Sequence, residues 1–322
     1  MVRTLKVLQR ELSALGHEVH FATPEHHTTL PLPTYPEIRL ALYPRGRLLR
    51  AFETFRPDAI HIATEGTMGL FARQICLERR LPFTTAFHTR FPEYVHARLP
   101  FVPESAVFAA LKTFHAPAAA TMVSTPTLMD ELKSDGFQNL RLWTRGVDVE
   151  HFAPGPSDAF ERLGRMPARP IFLYVGRLAV EKNVDAFLAL DLPGSKVVIG
   201  DGPQRSDLQA RYPAVHFLGH RTSEELARLY AAGDVFVFPS LTDTFGLVIL
   251  EALASGLPVA AYPVTGPLDV LGGTAAGALD EDLRTACLKA LTVPWHAPRA
   301  LALNYSWRAS AEQFLANLAV CA

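Results

Sequence analysis

The chain has 322 residues, a formal net charge of −1, 49% hydrophobic residues and 20% charged residues. This length allows two domains with large cores, and the composition fits a soluble globular protein. The charge gives no overall basic field for nucleic acid, and the distant Cys76, Cys287 and Cys321 give neither zinc-binding spacing nor a disulfide framework. We therefore expect a cytoplasmic protein with no nucleic-acid partner.

The N-terminal half opens with an amphipathic helix and then alternates predicted strands and helices. Leucines at three- and four-residue steps give residues 2–15 one apolar face, and Gly16 ends the pattern. We see no signal peptide and no apolar run of a membrane span's length. Apolar runs predict strands at 18–22, 38–42, 58–63, 82–87 and 119–123. Helical patterns lie at 47–56, 67–79, 104–115 and 126–135.

The C-terminal half shows the same alternation more clearly. Its apolar runs predict strands at 171–175, 196–199, 215–218, 234–238 and 257–261. A helix from Ser223 opens with a capping signal. Strands that are apolar on both faces and alternate with helices indicate a parallel sheet covered on both sides. Between the halves, residues 152–170 carry four prolines and two glycines, which we interpret as the interdomain connection.

The predicted fold class is α/β, with two doubly wound, Rossmann-like domains that face a cleft. The predicted domains are 1–152 and 153–305, and an amphipathic helix in 306–322 is assigned to the first. In such sheets ligands bind beyond the carboxyl ends of the strands. Loops that follow strands are therefore the places where a site is expected.

The loop after the first strand of the C-terminal half carries Gly176, Arg177 and Lys182. A glycine lets the backbone approach a ligand closely, while a guanidinium fork and an ammonium group suit a diphosphate. The alternative is a solvated loop with ordinary surface charges, which are common in proteins. On spacing alone, the solvated loop is the preferred interpretation.

Two other loops offer weaker signals. Gly200 and Gly202 follow the next strand and fit a turn that opens a helix near a nucleotide, although a plain tight turn explains them equally well. His88 follows strand 82–87 and would face the cleft, either as a catalytic residue or as a satisfied structural histidine. The functional interpretation of either loop is strengthened only if a phosphate site lies nearby.

The segment TDTFGLVILEALASGLPVAA, residues 242–261, contains two carboxylates. Asp243 precedes a predicted helix start at Phe245 or Gly246, and Glu251 lies inside that helix. Eight residues at helical rise span about 12 Å, roughly the extent of a nucleotide sugar from ribose to hexose, and a helix N-terminus attracts phosphate. The alternative makes Asp243 a helix cap and Glu251 a solvated residue.

Together these residues resemble the retaining glycosyltransferases of the GT-B fold, family four, over essentially the whole chain. The motifs that carry the resemblance are FHTRFPEY, RGVDVEHF, GRLAVEKN, GDGP and VFVFPSLTDTFGLVILEALASGLPV. The segments LPLPTYPEIRLAL and TDTFGLVILEA are similar to the branch of GDP-mannose-dependent α-mannosyltransferases and related lipid glycosyltransferases.

The resemblance implies a role for each matching residue. Arg177 and Lys182 would bind the donor diphosphate, and Glu251 would bind the ribose. Asp243 would lie near the donor hexose, in place of the first glutamate of the family's E-x7-E pair, and His88 by the reacting face of that sugar. Donor binding would also involve these glycines and helix-start amides: Gly176, Gly200, Gly202, Thr244, Phe245, Gly246 and Leu247.

The expected chemistry follows from these residues and from the resemblance. No metal-ligand cluster such as Asp-x-Asp stands in a suitable context, so we expect no metal and no cofactor, with Arg177, Lys182 and the helix dipole meeting the leaving-group charge. The resemblance implies retaining transfer of mannose from GDP-mannose to a lipid or glycan acceptor. The alternatives are a UDP-sugar-dependent transferase, an epimerase or phosphorylase, and a truncated, non-catalytic nucleotide-sugar-binding remnant.

The helix predicted at 104–115 raises the question of a membrane. Val107, Phe108, Leu111 and Phe114 share one of its faces. That face could touch lipid at the inner face of the membrane, which would make the protein a peripheral one. The alternative is an ordinary helix that faces the core.

The start of the sequence suggests that a strand is missing. In the family the first helix follows a strand and a glycine-rich loop, whereas here the helix opens the chain. We therefore expect the first strand of the N-terminal sheet to be absent. A gap or distorted pairing is then expected beside strands 18–22 and 58–63.

Overall fold

The computed structural model describes residues 2–32, 35–88, 101, 103–156, 158–164 and 166–321. The chain divides into two units, residues 1–144 together with 308–322, and residues 145–307. The proline-rich segment 152–170 lies within the second unit. Each unit contains a parallel sheet and helices, so the predicted α/β class is confirmed.

The first unit combines a short antiparallel pair of strands with a parallel sheet. Its strands are β1 (Thr29–Leu32), β2 (Tyr35–Ala41), β3 (His61–Ile62), β4 (Thr84–Phe87), β5 (Ala120–Val123) and β6 (Leu140–Leu142). β1 pairs with β2, and the parallel sheet has the order β3-β4-β5-β6. Its helices are Val2–Ala14, the 3₁₀ turn Pro24–His26, Arg45–Phe55, Thr67–Arg79, Glu104–His115, Pro126–Ser134 and Trp307–Asn317.

Among the strands predicted for this unit, one is wrong and another is present but pairs differently from the prediction. Residues 18–22 form no strand, because the Val19 carbonyl accepts a hydrogen bond from the Gln9 side chain at 3.2 Å instead of entering a ladder. The strand predicted at 38–42 lies in β2 and pairs antiparallel with β1 rather than joining the parallel sheet. Among the described residues, β3 has a neighbouring strand of the sheet on one side only, namely β4.

The apolar face of helix Glu104–His115 points into the first unit. Leu111 and Phe114 are buried. Val107 and Phe108 are partly buried and pack against a neighbouring hydrophobic cluster. These side chains therefore contribute to the core. Within the described ranges, no helix has both the length and the hydropathy that crossing a bilayer would require.

The second unit is built on one parallel sheet of six strands. These are β7 (Ile171–Val175), β8 (Ser195–Ile199), β9 (His216–Gly219), β10 (Val235–Phe238), β11 (Val259–Ala261) and β12 (Gly277–Leu279). Their spatial order is β12-β11-β10-β7-β8-β9. The helices of this unit are Ala159–Arg162, the 3₁₀ turn Val180–Lys182, Val184–Leu188, Arg205–Arg211, Ser223–Ala232, Leu247–Ala254, Thr265–Leu271, Leu283–Ala290 and Ala297–Ala302.

β7 lies inside this sheet between β10 and β8, and all five of its side chains are buried. Ile171, Leu173 and Val175 belong to one hydrophobic cluster, while Phe172 and Tyr174 belong to another. Successive side chains of a strand point to opposite faces, so the strand supplies a core on each side of the sheet. Burial of each large apolar side chain stabilises the fold by about 1.5–3 kcal/mol.

The strand order reverses at β7. The chain proceeds from β7 through β8 and β9 on one side, then returns to β10 and proceeds through β11 and β12 on the other. At such a switch point the adjacent loops leave in opposite directions and open a crevice at the carboxyl ends of the strands. The loops after β7 and β10, residues 176–183 and 239–246, therefore mark where a ligand of this unit is expected.

Candidate functional site

The loops after β7 and β8 are packed backbone against backbone. Leu178 N donates to Asp201 O at 2.9 Å. A Cβ atom on Gly200 would lie 1.9 Å from Gly176 O, and one on Gly202 would lie 2.3 Å from Leu178 O. Both positions therefore require glycine for the packing of one loop on the other, whatever else they contact.

Tyr174 holds the backbone at Arg177. Its buried hydroxyl donates to Arg177 O at 2.8 Å, and a Cβ atom on Gly176 would lie 2.7 Å from that hydroxyl oxygen. Burial raises the pKa of Tyr174, and the nearby carboxylates of Asp243 and Glu181 raise it further. The phenol therefore stays protonated and remains a hydrogen-bond donor to the loop.

The loop after β7 is also tied to the loop after β10, across the switch point. Asn183 has a left-handed backbone conformation with φ of 51°, and its Nδ2 donates to Pro239 O at 3.1 Å. Ser240 Oγ and Thr242 Oγ1 donate to Glu181 O at 3.4 Å and 3.5 Å. These hydrogen bonds hold the two loops side by side.

Lys182 and Asp243 form an ion pair between these loops. Lys182 Nζ lies 2.5 Å from Asp243 Oδ1, and the two side chains are 24% and 16% exposed. The second carboxylate oxygen, Asp243 Oδ2, is buried without a hydrogen-bond partner in the described part of the chain. Solvent screens such a partly buried pair less than it screens a surface pair. Both residues were expected to line a donor site, and the structure places them in direct contact.

The loop from Asp243 to the next helix differs from the prediction. Phe245 is buried, and its ring centroid lies 6.3 Å from that of Tyr305. Gly246 precedes helix Leu247–Ala254 with a left-handed φ of 79°. The helix thus begins one or two residues later than predicted, and the alternative that Asp243 caps it is wrong.

Glu251 lies inside that helix and is only 5% exposed. Tyr230 Oη donates to Glu251 Oε2 at 3.2 Å, so the alternative of a solvated helix residue is wrong. Thr244 is also buried, and Leu247 is partly buried. The expected separation of about 12 Å between Asp243 and Glu251 assumed a continuous helix, and this assumption does not hold because the helix starts only at Leu247.

His88 follows β4 directly, in the first unit. Its ring centroid lies 5.5 Å from that of Trp143 in an edge-on arrangement, and Trp143 lies 4.9 Å from Phe314. Trp143 is fully buried, and Phe314 belongs to helix Trp307–Asn317. His88 therefore packs against an aromatic cluster formed by Trp143 and by Phe314 of the C-terminal helix. Residues 89–94 of the FHTRFPEY motif lie outside the described residues.

The structure shows where the predicted site residues lie, and their roles stay predictions. It brings Lys182 and Asp243 together, places Arg177 at the start of the same loop as Lys182, and leaves His88 in the other unit. Sequence reasoning missed Tyr174 and Asn183. Two signals were available in the sequence. Tyr174 brings a polar hydroxyl into an apolar strand, and Asn183 is of a residue type that adopts a left-handed backbone conformation more readily than most.

Two family models match the chain, one in each half. A model described as Glycosyltransferase Family 4 matches residues 1–151. A model described as Glycosyl transferases group 1 matches residues 169–292, the part that contains Lys182 and Asp243. The two matches together cover most of both units.

Curated relatives share about a third of the matched residues. A GDP-mannose-dependent alpha-mannosyltransferase of Mycobacterium tuberculosis is 35% identical over 76% of this chain and 63% of the relative. A protein of the same name from Corynebacterium glutamicum is 30% identical over 85% of this chain and 71% of the relative. Sulfoquinovosyl transferase SQD2 of Arabidopsis thaliana is 32% identical over 81% of this chain and 56% of the relative. The chain therefore spans less than two thirds of the first and third of these relatives.

Solved structures show the same fold at lower identity. Sucrose-phosphate synthase from Thermosynechococcus elongatus superposes with a TM-score of 0.73 and 23% identity, over 97% of this chain and 91% of that one. Such a likeness establishes the architecture and leaves the substrate open. The shared architecture is the GT-B fold, with two Rossmann-like domains.

Proposed function

The chain belongs to glycosyltransferase family 4, and from that premise we propose that it transfers mannose from GDP-mannose to a lipid or glycan acceptor. The transfer of a glycosyl group is what the family and the relatives support. The proposal goes further in four respects: the particular hexose, the acceptor, the retention of configuration and the independence from metal.

The observation that carries the proposal is the Lys182–Asp243 pair at the switch point of the second unit. An ammonium at this position suits the donor diphosphate, and a carboxylate beside it suits the hydroxyls of the attached hexose. Arg177 begins the same loop and adds a second cation to the segment. A sugar nucleotide presents both chemical groups, a diphosphate and a polyol, within one molecule.

The same residues supply what the reaction needs. As the bond from the hexose to the diphosphate breaks, negative charge grows on the leaving group, and fixed cations stabilise that charge without reorganising. Helix Leu247–Ala254 follows the other loop, which carries Asp243, and its N-terminal end adds a partial positive charge. The Asp243 carboxylate pairs with Lys182 and that of Glu251 accepts from Tyr230. We include front-face attack without a covalent carboxylate intermediate in the proposal because the resemblance to the family implies it.

Donor identity can be tested with a panel of sugar nucleotides. Purified protein is incubated with GDP-mannose, UDP-glucose or UDP-sulfoquinovose in the presence of lipid extract or oligosaccharides, and products are identified by mass spectrometry. We expect a mannosylated product from GDP-mannose and much less of it from the same reaction with Lys182→Ala. Release of no nucleotide and formation of no product from any donor would contradict the transferase proposal.

A second candidate is transfer of a different hexosyl group, sulfoquinovose. The observation that favours it is the 32% identity to the plant sulfoquinovosyl transferase over 81% of this chain. In the same panel, a product from UDP-sulfoquinovose and none from GDP-mannose would select this candidate. An epimerised sugar nucleotide without transfer would point instead to the epimerase alternative.

We expect transfer to continue without a divalent metal ion. Lys182, Arg177 and the helix N-terminus provide positive charge for the leaving diphosphate, so a metal is not needed for that purpose. In an assay with excess EDTA, initial rates should stay close to those without it. Complete loss of activity that Mg²⁺ or Mn²⁺ restores would show this expectation to be wrong.

A further inference from the structure

We propose that Asp243 is a specificity-determining residue that makes the site favour an intact sugar nucleotide over the free nucleoside diphosphate. The inference rests on the proposed function, because it takes the diphosphate of the donor to be the ligand of Lys182. It concerns how one site distinguishes its substrate, the sugar nucleotide, from its product, the nucleoside diphosphate. When the substrate binds, Lys182 and Asp243 separate, and each binds a different group of the ligand.

Lys182 is already engaged by a carboxylate. Its Nζ lies 2.5 Å from Asp243 Oδ1. The loops that carry the two residues are fixed to each other by hydrogen bonds from Asn183, Ser240 and Thr242. A diphosphate that binds Lys182 must therefore compete with Asp243 for the ammonium group, and separation of the loops does not relieve that competition.

Asp243 has few other ways to satisfy its charge. Its Oδ2 is buried without a hydrogen-bond partner in the described part of the chain. The nearby hydroxyl of Tyr174 donates to Arg177 O at 2.8 Å. A carboxylate that loses its cation in a partly buried place is destabilised unless new donors reach it. Lys182 is thus the main partner of this carboxylate.

An intact sugar nucleotide and the free nucleotide differ at this point. The diphosphate of either one takes over Lys182. Only the intact donor also brings hexose hydroxyls, which can donate to the Asp243 carboxylate in place of the ammonium group. The free nucleoside diphosphate offers no such donor, so it leaves Asp243 without a full partner and close to its own negative charge.

The exchange of partners also favours product release. Once the hexosyl group has moved to the acceptor, the hydroxyls that satisfied Asp243 leave the site. Asp243 then competes again with the bound diphosphate for Lys182. The nucleotide product is therefore bound more weakly than it would be beside a neutral residue.

The test is isothermal titration calorimetry with GDP, UDP and GDP-mannose. Wild type is compared with Asp243→Asn, which keeps the shape of the side chain and removes its charge. We expect Asp243→Asn to bind the nucleoside diphosphate about tenfold more tightly than wild type, which corresponds to about 1.4 kcal/mol. Its affinity for GDP-mannose should rise much less, so the preference for the intact donor falls.

A matched control is available in the same unit. Asp280 forms a similar pair with Lys289, at 2.7 Å, beyond the carboxyl end of β12 at the edge of the sheet. Asp280→Asn removes the same charge and should leave all three affinities as in wild type. Melting curves by circular dichroism confirm that the variants are folded. A gain in nucleotide affinity for Asp280→Asn equal to that for Asp243→Asn would overturn the inference.

A double-mutant cycle separates competition for Lys182 from simple charge repulsion. In a Lys182→Ala background, Asp243→Asn should tighten nucleotide binding much less than it does in wild type, because there is no ammonium group to release and only the charge repulsion is relieved. The inference is overturned, while the proposed function stands, if Asp243→Asn raises nucleotide affinity equally in the Lys182→Ala protein. It is also overturned if Asp243→Asn does not raise nucleotide affinity in the protein that keeps Lys182. If wild type binds none of GDP, UDP and GDP-mannose, the proposed function fails and the inference falls with it.

Discussion

At the scale of single residues, a lysine–aspartate ion pair occurs at two places in the described part of the second unit, with different surroundings. Lys182 and Asp243 are 24% and 16% exposed, whereas Lys289 and Asp280 are 60% and 25% exposed. Exposed pairs contribute about 0–1 kcal/mol to stability because water screens them and both side chains lose freedom. Because both pairs consist of a lysine and an aspartate, the same substitution can be made in each, and only the position in the unit differs.

Lys182→Ala should lower kcat/KM for GDP-mannose by about 10- to 100-fold or more. The reason is the loss of a charged hydrogen bond to the leaving diphosphate, worth about 1.5–3 kcal/mol. Steady-state kinetics at saturating acceptor measure the effect. Lys289→Ala is the matched control and should leave kcat/KM unchanged. Equal activity of folded Lys182→Ala and wild type would remove Lys182 from the site.

At the scale of elements, the site depends on three loops that are tightly joined. The loop after β7 contacts the loop after β8 through glycines and the loop after β10 through side-chain hydrogen bonds. The position of Lys182 therefore depends on residues that touch no ligand. A change in loop packing should affect activity and stability together.

Gly200→Ala provides such a change. A Cβ at this position would lie 1.9 Å from Gly176 O, and the backbone has a φ of +134°, so we expect a loss of at least about 2 kcal/mol of unfolding free energy. We also expect a marked fall in kcat/KM, because the Gly176–Arg177 loop must shift. Urea denaturation and kinetics measure the two effects.

Gly46→Ala is the control for this substitution. Nothing lies within 4 Å of a Cβ at Gly46, which belongs to helix Arg45–Phe55. Its stability should change by less than about 1 kcal/mol and its activity should not change. If both alanine variants behaved alike, the close packing of the loops after β7 and β8 would not matter for the site.

The strands were predictable where burial is complete and the run is long enough. IFLYV at 171–175 is confirmed residue for residue, because a strand buried on both faces is apolar throughout. β6 was missed because it has three residues, one of them the exposed Arg141. β12 was missed because it is also short and begins with a glycine. The helix predicted from Ser223 is confirmed, although its capping box uses Thr222.

Residues for a candidate site could be proposed from the sequence, and their roles stay predictions, whereas the contacts between them could not be foreseen. Charged residues after buried strands indicated a ligand site, because the carboxyl ends of a parallel sheet are where ligands bind. The contact of Lys182 with Asp243, 61 residues apart, needed the strand order, which one sequence does not reveal. The start of the helix at Leu247 depends on the left-handed conformation of Gly246, and the neighbouring residues in the sequence do not indicate that conformation.

At the scale of the whole molecule, the first unit is discontinuous in sequence. Residues 308–322 return to it after the second unit is complete. Ser310 Oγ donates to Thr144 O at 2.7 Å, and Asn317 Nδ2 donates to Leu142 O at 2.8 Å. Phe314 packs against Trp143 within the same hydrophobic cluster. The returning helix is therefore part of the core of the first unit.

Phe314→Ala should lower the unfolding free energy by about 3–5 kcal/mol, the usual effect of removing a buried phenylalanine. Loss of the ring also removes support from Trp143 and, through it, from His88, so transfer should fall. GDP affinity should stay as in wild type, because Lys182 and Asp243 lie in the other unit. Denaturation curves, calorimetry and kinetics measure the three effects.

Glu312→Ala on the same helix is the control for Phe314→Ala. Glu312 pairs with Arg308 at 3.3 Å on the surface, and its side chain is 58% exposed. Its removal should change stability by no more than about 0.5 kcal/mol. If Phe314→Ala changed stability as little as this control, the helix would not be part of the core.

The returning helix also has a consequence for protein synthesis. All six strands of the second unit lie within residues 145–307, so that unit can fold as soon as they leave the ribosome. The core around Leu8, Leu12 and Trp143 must wait until Phe314 has emerged. We therefore expect the half that is translated first to finish folding last. Limited proteolysis of stalled nascent chains should find the later half protected while the earlier half is still cleaved, and simultaneous protection would contradict this order.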